Sequence, residues 1–244
     1  MAPLQVAGWG HPVTTGLPSI DLFASGELLE GTAAGRHYRE KLIRLPGTGV
    51  CTDLAPVQSQ PWDSPARQGN CVRFALCQQP IKFDPADDVL LTRIASAVGP
   101  SEFWLAAPKK LHWATVRLRN RLAAAFRAAG LDPDAHLRVI PWLSRDQFAG
   151  FLDEMDVFLD CPAFSGYTTA WQAIHRGIPI VTLEGEFLRQ RLAAGLLRQI
   201  GMTDGIASAA DEYVHIAALR AQESSDSGAA VRAFEQALLG ALKT

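Results

Sequence analysis

Four cysteines in 244 residues are too few and too scattered for a disulfide framework. Cys51, Cys71, Cys77 and Cys161 show no CxxC spacing. The last three sit in or beside apolar runs and read as buried small hydrophobes. A dominant charge is also missing. The 23 Lys and Arg against 25 Asp and Glu leave a net charge of −2, which gives no general pull toward nucleic acid or an anionic membrane. No apolar run approaches the ~20 residues that cross a bilayer. Residues 1–10 lack a basic stretch and an apolar core of signal-peptide length, so the cytoplasm is the expected location. No GxGxxG follows a strand-like run, which argues against NAD or FAD. The six histidines lack HxxxH spacing, which argues against a metal site. No repeat of about 34 residues is visible. Asp132-Pro133-Asp134 imitates a DxD metal motif but falls in a helix-to-strand turn.

What remains is a chain able to bury a core, with 48% hydrophobic and 20% charged residues. Gln5–Trp9 reads as a strand, followed at once by the turn-rich loop Gly10-His11-Pro12-Val13-Thr14-Thr15-Gly16-Leu17-Pro18. Residues 20–30 and 41–45 read as short strands or edge segments. Residues 46–69 hold four prolines and three glycines and read as a linker. The expected division is therefore a partial unit over residues 1–60 and a full domain over 61–244. From residue 70 the pattern is regular. Strands are predicted at 71–77, 102–106, 137–140, 156–160 and 178–183. Helices are predicted at 84–98, 112–129, 144–155, 168–176, 186–200, 210–221 and 228–242. Strands alternating with helices predict an α/β domain with a Rossmann-like parallel sheet. Ligands in such sheets bind at the carboxyl ends of the strands.

Three loops at that edge carry polar chemistry. In the first, Gln78 to Asp84, the Gln79 amide suits a base edge or a phosphate, and Lys82 suits a diphosphate. The plain alternative is a solvated loop with an ordinary surface lysine. In the second, Cys161 to Thr169, Gly166 permits close backbone approach. Thr168 and Thr169 lie at a helix start that favours an anion; the alternative is that one of them caps the helix. The third, Leu183 to Arg191, is equally well read as an acidic first turn followed by basic residues that suit the helix dipole. The basic stretch from Lys109 to Arg127 reads as a solvated helix face. Trp9, Trp62, Trp104, Trp142 and Trp171 are expected in the core or at interfaces.

In order and spacing, several segments resemble the catalytic region of the O-GlcNAc transferase and SPINDLY family of protein O-glycosyltransferases, in its bacterial form. They are Gln79-Pro80-Ile81-Lys82-Phe83-Asp84, Phe158-Leu159-Asp160-Cys161-Pro162, Gly166-Tyr167-Thr168-Thr169 and the run from Gly177 to Glu186. The loop from Gly10 to Asp21 and the segment Tyr38–Pro46 resemble the end of that family's N-terminal catalytic domain. The resemblance implies the C-terminal half of a GT-B glycosyltransferase with a remnant of the other half. It implies inverting transfer of a sugar to Ser or Thr hydroxyls of protein. The donor would be a nucleotide sugar, UDP-GlcNAc first and GDP-fucose second, with no metal cofactor.

By position, Gln79 and Lys82 would hold the uracil side or the diphosphate, Thr168 and Thr169 the diphosphate, and His11 would face the cleft. Four positions depart from the family: Arg145 for a lysine, Phe148 for a histidine, Tyr167 for a histidine or asparagine, and Gln172 for an acidic ribose partner. Arg145 keeps its charge and Gln172 can still bond a hydroxyl. The family's helical repeats and most of its first domain have no counterpart here. The chain is thus expected to be a fragment, or to work with a second polypeptide or dimer partner that completes the cleft. The alternative is a non-catalytic nucleotide-binding or protein-interaction module.

Overall fold

The computed structural model describes residues 2–51, 57–67, 69–110 and 112–225. The helix expected at 228–242 lies outside the described residues. Two parallel sheets organise the rest. The first has three strands, β1 (Val6–Gly8), β2 (Leu22–Gly26) and β3 (Lys41–Leu45), in the order β1-β2-β3. Val6 pairs with Leu22 and Leu22 with Lys41, so the segments read as isolated edge pieces form one short sheet.

The second sheet has six strands: β4 (Val72–Leu76), β5 (Ser101–Ala106), β6 (Leu137–Ile140), β7 (Val157–Leu159), β8 (Ile180–Leu183) and β9 (Ile206–Ala207). Their order is β6-β5-β4-β7-β8-β9. The chain winds outward from β4 in one direction, then returns to β4's other side and winds the opposite way. The sequence reading lacked β9, which has only two residues and no periodicity to see.

Helices cover both faces. They are α1 (Asp88–Val98), α2 (His112–Ala128), the single turn α3 (Pro133–His136), α4 (Arg145–Asp153), α5 (Thr168–His175), α6 (Leu192–Gln199) and α7 (Ala210–Ser225). Period-two alternation sorts the strands between two cores. Phe74, Leu76, Phe103, Leu105, Val157 and Leu159 join one cluster with α1, α2 and α7. Ala75, Cys77, Trp104 and Phe158 join the other with α4, α5 and α6. Strand β4 is buried at every position, as a central parallel strand must be. Cys71, Cys77 and Cys161 are buried and unbridged, as their apolar context implies.

Three details differ from the sequence reading. The helix expected over 186–200 is a short 3₁₀ turn, Leu188–Gln190, followed by α6. The Gln190 side chain folds back to accept from the Phe187 amide at 3.2 Å, which closes the start of this turn. Asp84 caps a 3₁₀ turn at Pro85–Asp87 before α1 begins. Trp142 is 55% exposed rather than core, with Lys109 Nζ 4.8 Å from its ring centre.

The linker is not idle. Trp62 sits edge-on to Trp104 and Phe151, each at 5.4 Å, inside the second core. The Gln60 carbonyl presses on Gly150 of α4 where any Cβ would collide.

The three-stranded sheet docks on α6 and the turn before it. Trp9, Phe23 and Leu29 pack with Leu188 and Leu192. Arg191 Nε donates to the Leu29 carbonyl at 2.9 Å, and Gln199 Oε1 accepts from the Thr48 amide at 3.1 Å.

Candidate functional site

The strand order reverses between β4 and β7, so their carboxyl ends diverge into a crevice. After β4, Pro80–Lys82 form a 3₁₀ turn closed by the Lys82 amide on the Gln79 carbonyl at 2.9 Å. This turn points Lys82 inward. Its Nζ donates to the Ser165 carbonyl at 3.1 Å and stands 4.2 Å from the Phe164 ring centre. Burial lowers the ammonium pKa, while the neighbouring Asp160 charge opposes that shift. Lys82 is therefore not the free surface lysine of the plain alternative. Gln79 is exposed on the same turn.

After β7 the chain meets a carboxylate that the sequence reading left inside a strand. Asp160 is 1% exposed. Its Oδ1 accepts from the Gly166 amide at 2.8 Å and Gln78 Nε2 at 3.1 Å. Its Oδ2 accepts from Ser165 Oγ at 2.6 Å and Thr182 Oγ1 at 2.8 Å. Burial raises its pKa; the Ser165, Gly166 and Thr182 hydrogen bonds and the Lys82 charge pull the other way. Ser165 is fully buried and engaged at every polar atom. Its amide donates to the Arg189 carbonyl at 2.7 Å, and its Oγ also accepts from the Ala193 amide at 2.9 Å.

This clamped loop delivers the start of α5. Tyr167 occupies the N-cap position and makes no capping hydrogen bond. Thr168 and Thr169 are the first two residues inside the helix, so neither is its N-cap residue. The first N–H groups of α5 thus lack a side-chain cap, and with the positive end of the dipole they suit an anion. A Cβ on Gly166 would lie 2.8 Å from Thr169 Oγ1 and 3.3 Å from Gln78 Nε2, so only glycine lets the turn sit this close. Gln172 follows one turn along α5 and is half-buried.

Other expected site residues lie apart from this cluster. Tyr167 turns toward the three-stranded sheet, edge-on to Trp9 at 4.6 Å and bonded to Thr48 Oγ1 at 3.0 Å. Arg145 is exposed in the first turn of α4, beyond β6 and two strands from β4. Phe148 packs against Phe151 at 5.8 Å, a core role that its apolar ring allows. His11 is exposed in the loop after β1. That loop is fixed from beneath by Glu40, whose carboxylate accepts from Thr14 Oγ1 at 2.6 Å, the Thr15 amide at 2.8 Å and the Thr15 hydroxyl. Burial would raise the Glu40 pKa, but these hydrogen bonds outweigh it and bring it down to about 2.

A neighbouring open cleft of about 340 Å³ is lined by Asp84, Asp87, Pro162, Glu184, Gln190 and Ser208 among others, and by none of Lys82, Thr168 or Thr169. Its acidic wall does not suit a phosphate. Glu184 there is already paired with Arg198 at 2.6 Å and Arg191 at 2.8 Å. Among the described residues no group of three or more His, Cys, Asp or Glu is placed to hold a metal ion.

A six-stranded parallel sheet covered by helices on both faces, with a half-buried lysine and an uncapped helix start at its switch point, defines a Rossmann-like domain. A second, three-stranded parallel sheet packs against it. The chain belongs to glycosyl transferase family 41, whose model matches residues 78–235. It is 29% identical over 217 residues to a Solanum lycopersicum protein named "Probable UDP-N-acetylglucosamine--peptide N-acetylglucosaminyltransferase SPINDLY". It is 28% identical over 221 residues to an Arabidopsis thaliana protein of the same enzyme name, designated SEC. These matches cover 88% and 87% of this chain but only 23% and 22% of the relatives. Among solved structures, the O-GlcNAc transferase of Thermobaculum terrenum superimposes with a TM-score of 0.81 at 22% identity. That match covers 98% of this chain and 45% of the other, and it shows the GT-B fold.

Proposed function

We propose that this chain is the donor-binding part of a metal-independent, inverting protein O-glycosyltransferase that uses a nucleotide sugar, UDP-GlcNAc, with GDP-fucose as the second candidate. The observation that carries this reading is the open first turn of α5 beside Lys82 at the sheet's switch point. The acceptor's Ser or Thr hydroxyl oxygen forms the new bond to the sugar's anomeric carbon. The bond from that carbon to the diphosphate breaks, and the nucleoside diphosphate leaves with the electron pair. Lys82 and the α5 amides stabilise the growing negative charge, with the Thr168 and Thr169 hydroxyls adding donors and Gly166 allowing close approach. Gln172 bonds a ribose hydroxyl from the next turn of α5. Gln79 and Arg145 contact the base side. His11, on the loop clamped by Glu40, takes the acceptor proton. Tyr167 braces the donor loop against the first sheet.

The unit that holds the donor extends from about residue 61, with residues 1–60 completing one wall of the cleft. The remaining wall comes from chain that the relatives carry beyond the matched region or from a partner polypeptide. The cytoplasm is the proposed compartment. Calorimetric titration with UDP, GDP and their sugar conjugates tests the donor assignment. One nucleotide should bind, and the binding should be lost in Lys82→Ala. No binding at millimolar nucleotide would sink the assignment. His11→Ala should slow transfer to an acceptor peptide in the complete assembly while leaving nucleotide affinity unchanged.

A further inference from the structure

The carboxylate beneath this cluster is out of place by simple electrostatics. Asp160 is buried directly under a turn that presents N–H groups to an anion. A second negative charge there would weaken binding unless it did something else. Its hydrogen bonds show what that is. The four donors come from three segments: Gln78 after β4, Ser165 and Gly166 after β7, and Thr182 on β8. Both Oδ1 partners are N–H donors, and Ser165 Oγ, already accepting from the Ala193 amide, has its proton left to give. This set fits an ionised acid, for which every partner donates. The ties continue outward. Ser165 receives the Lys82 ammonium on its carbonyl, Cys161 Sγ donates to the Lys82 carbonyl at 3.0 Å, and Tyr213 OH donates to the Asp160 carbonyl at 2.9 Å.

We infer that Asp160 is the positioning residue of the donor site: it fixes the Ser165–Thr169 turn and, through Ser165, the Lys82 ammonium at the place where the diphosphate arrives. The inference rests on the donor-site reading above. Asp160 touches no ligand. Its charge is consumed by four hydrogen bonds, so the diphosphate meets the N–H groups it has aligned and not the carboxylate itself. Thr182, on a strand behind the turn, is a second handle on the same device. Among the described residues its hydroxyl bonds to Asp160.

The test uses the full chain, with UDP and with uridine as probes, and with backbone hydrogen exchange resolved to single amides. Asp160→Asn removes the charge: with its oxygen kept toward the Gly166 and Gln78 N–H donors, its NH2 replaces the oxygen that accepted from Ser165 Oγ and Thr182 Oγ1. It should weaken UDP binding about tenfold or more, in line with loss of charge-assisted hydrogen bonds. Thr182→Val, which keeps the side-chain shape, should weaken it about threefold to tenfold. Uridine binding should fall much less than UDP binding in both, because uridine lacks the diphosphate and meets α5 through Gln172 alone. Exchange at the hydrogen-bonded amides of Ser165 and Gly166 should quicken about tenfold in both variants, while β4 and α2 keep their protection. If Asp160→Asn fails to fold, Thr182→Val decides alone. Equal losses for UDP and uridine, or unchanged exchange at Ser165 and Gly166, would overturn the inference. Absence of any nucleotide binding by the unmutated chain would instead refute the donor-site reading. Even then the exchange experiment, done without ligand, still decides whether Asp160 holds the turn.

Discussion

The starts of α4 and α5 face the same edge of the sheet and are built in opposite ways. Helix α4 is closed by its own sequence. Ser144 Oγ accepts from the Gln147 amide at 3.3 Å, and Gln147 Oε1 accepts from the Ser144 amide at 3.2 Å. This is the reciprocal capping box expected of Ser followed three residues later by Gln. Helix α5 begins at Tyr167, which caps nothing and faces the other sheet. Its supports lie beneath the turn, at Asp160 and Ser165, and its N–H groups face outward. A helix start satisfied by its own side chains serves the fold. A start held from behind and left open in front is the one to which the proposed function assigns the diphosphate.

Substitutions can break this contrast, beginning with the largest expected effect. Lys82→Ala should lower affinity for a nucleoside diphosphate by about 2 kcal/mol or more, about thirtyfold, because a half-buried ammonium is worth more than a surface one. Calorimetry reads it directly. Gly166→Ala should cost about tenfold in the same assay, since the added methyl must push Thr169 Oγ1 or the Gln78 amide aside. Ser144→Ala should do the reverse. It should lower unfolding stability by about 1 kcal/mol in urea melts and leave nucleotide affinity alone. A drop in affinity equal to that of Gly166→Ala would show that the two helix starts are not separate in role.

The smallest effect concerns the first sheet. The Glu40 carboxyl sits near 2 in the fold against an ordinary 4.5. It therefore stabilises the protein above pH ~4.5, and that contribution fades as pH falls toward 2. Glu40→Gln should be destabilised at neutral pH by comparison with the unmutated chain, and the gap should close between those two values. Thermal melts across that range check it. A gap independent of pH would mean that the Thr14 and Thr15 contacts do not need the charge.

Much of the second domain was legible because its signals are local. Strand β4 reads as an apolar run, Asp84 and Pro85 mark a helix entry, and Gly130 and Gly177 mark helix ends. Lys82, Thr168 and Thr169 could be picked out because loops after strands in such a sheet share one edge. Asp160 was harder. The only sign was a carboxylate closing the apolar run Val157-Phe158-Leu159, a place where an unpaired charge would be costly. Its partners, Gln78, Ser165 and Thr182, are ordinary polar residues up to 82 positions away. Trp142, expected in the core or at an interface, lies outside the core because its side chain is exposed after the end of β6. The three-stranded sheet was read as fragments because each strand is short and partly exposed, which leaves weak alternation.

The sequence by itself determined the class of fold, the number and sense of most strands and helices, and the family. The fold class and the elements depend on periodicity, caps and turn residues, which act over a few positions; the family was carried by the resemblance of motif segments in their order and spacing. The tertiary structure alone decided that Lys82 folds inward onto Ser165, that α5 starts without a cap, and that Tyr167 spans to the other sheet. Each of these depends on groups far apart in the chain meeting in one buried place, where an unsatisfied charge or N–H must find a partner and local pattern cannot name it.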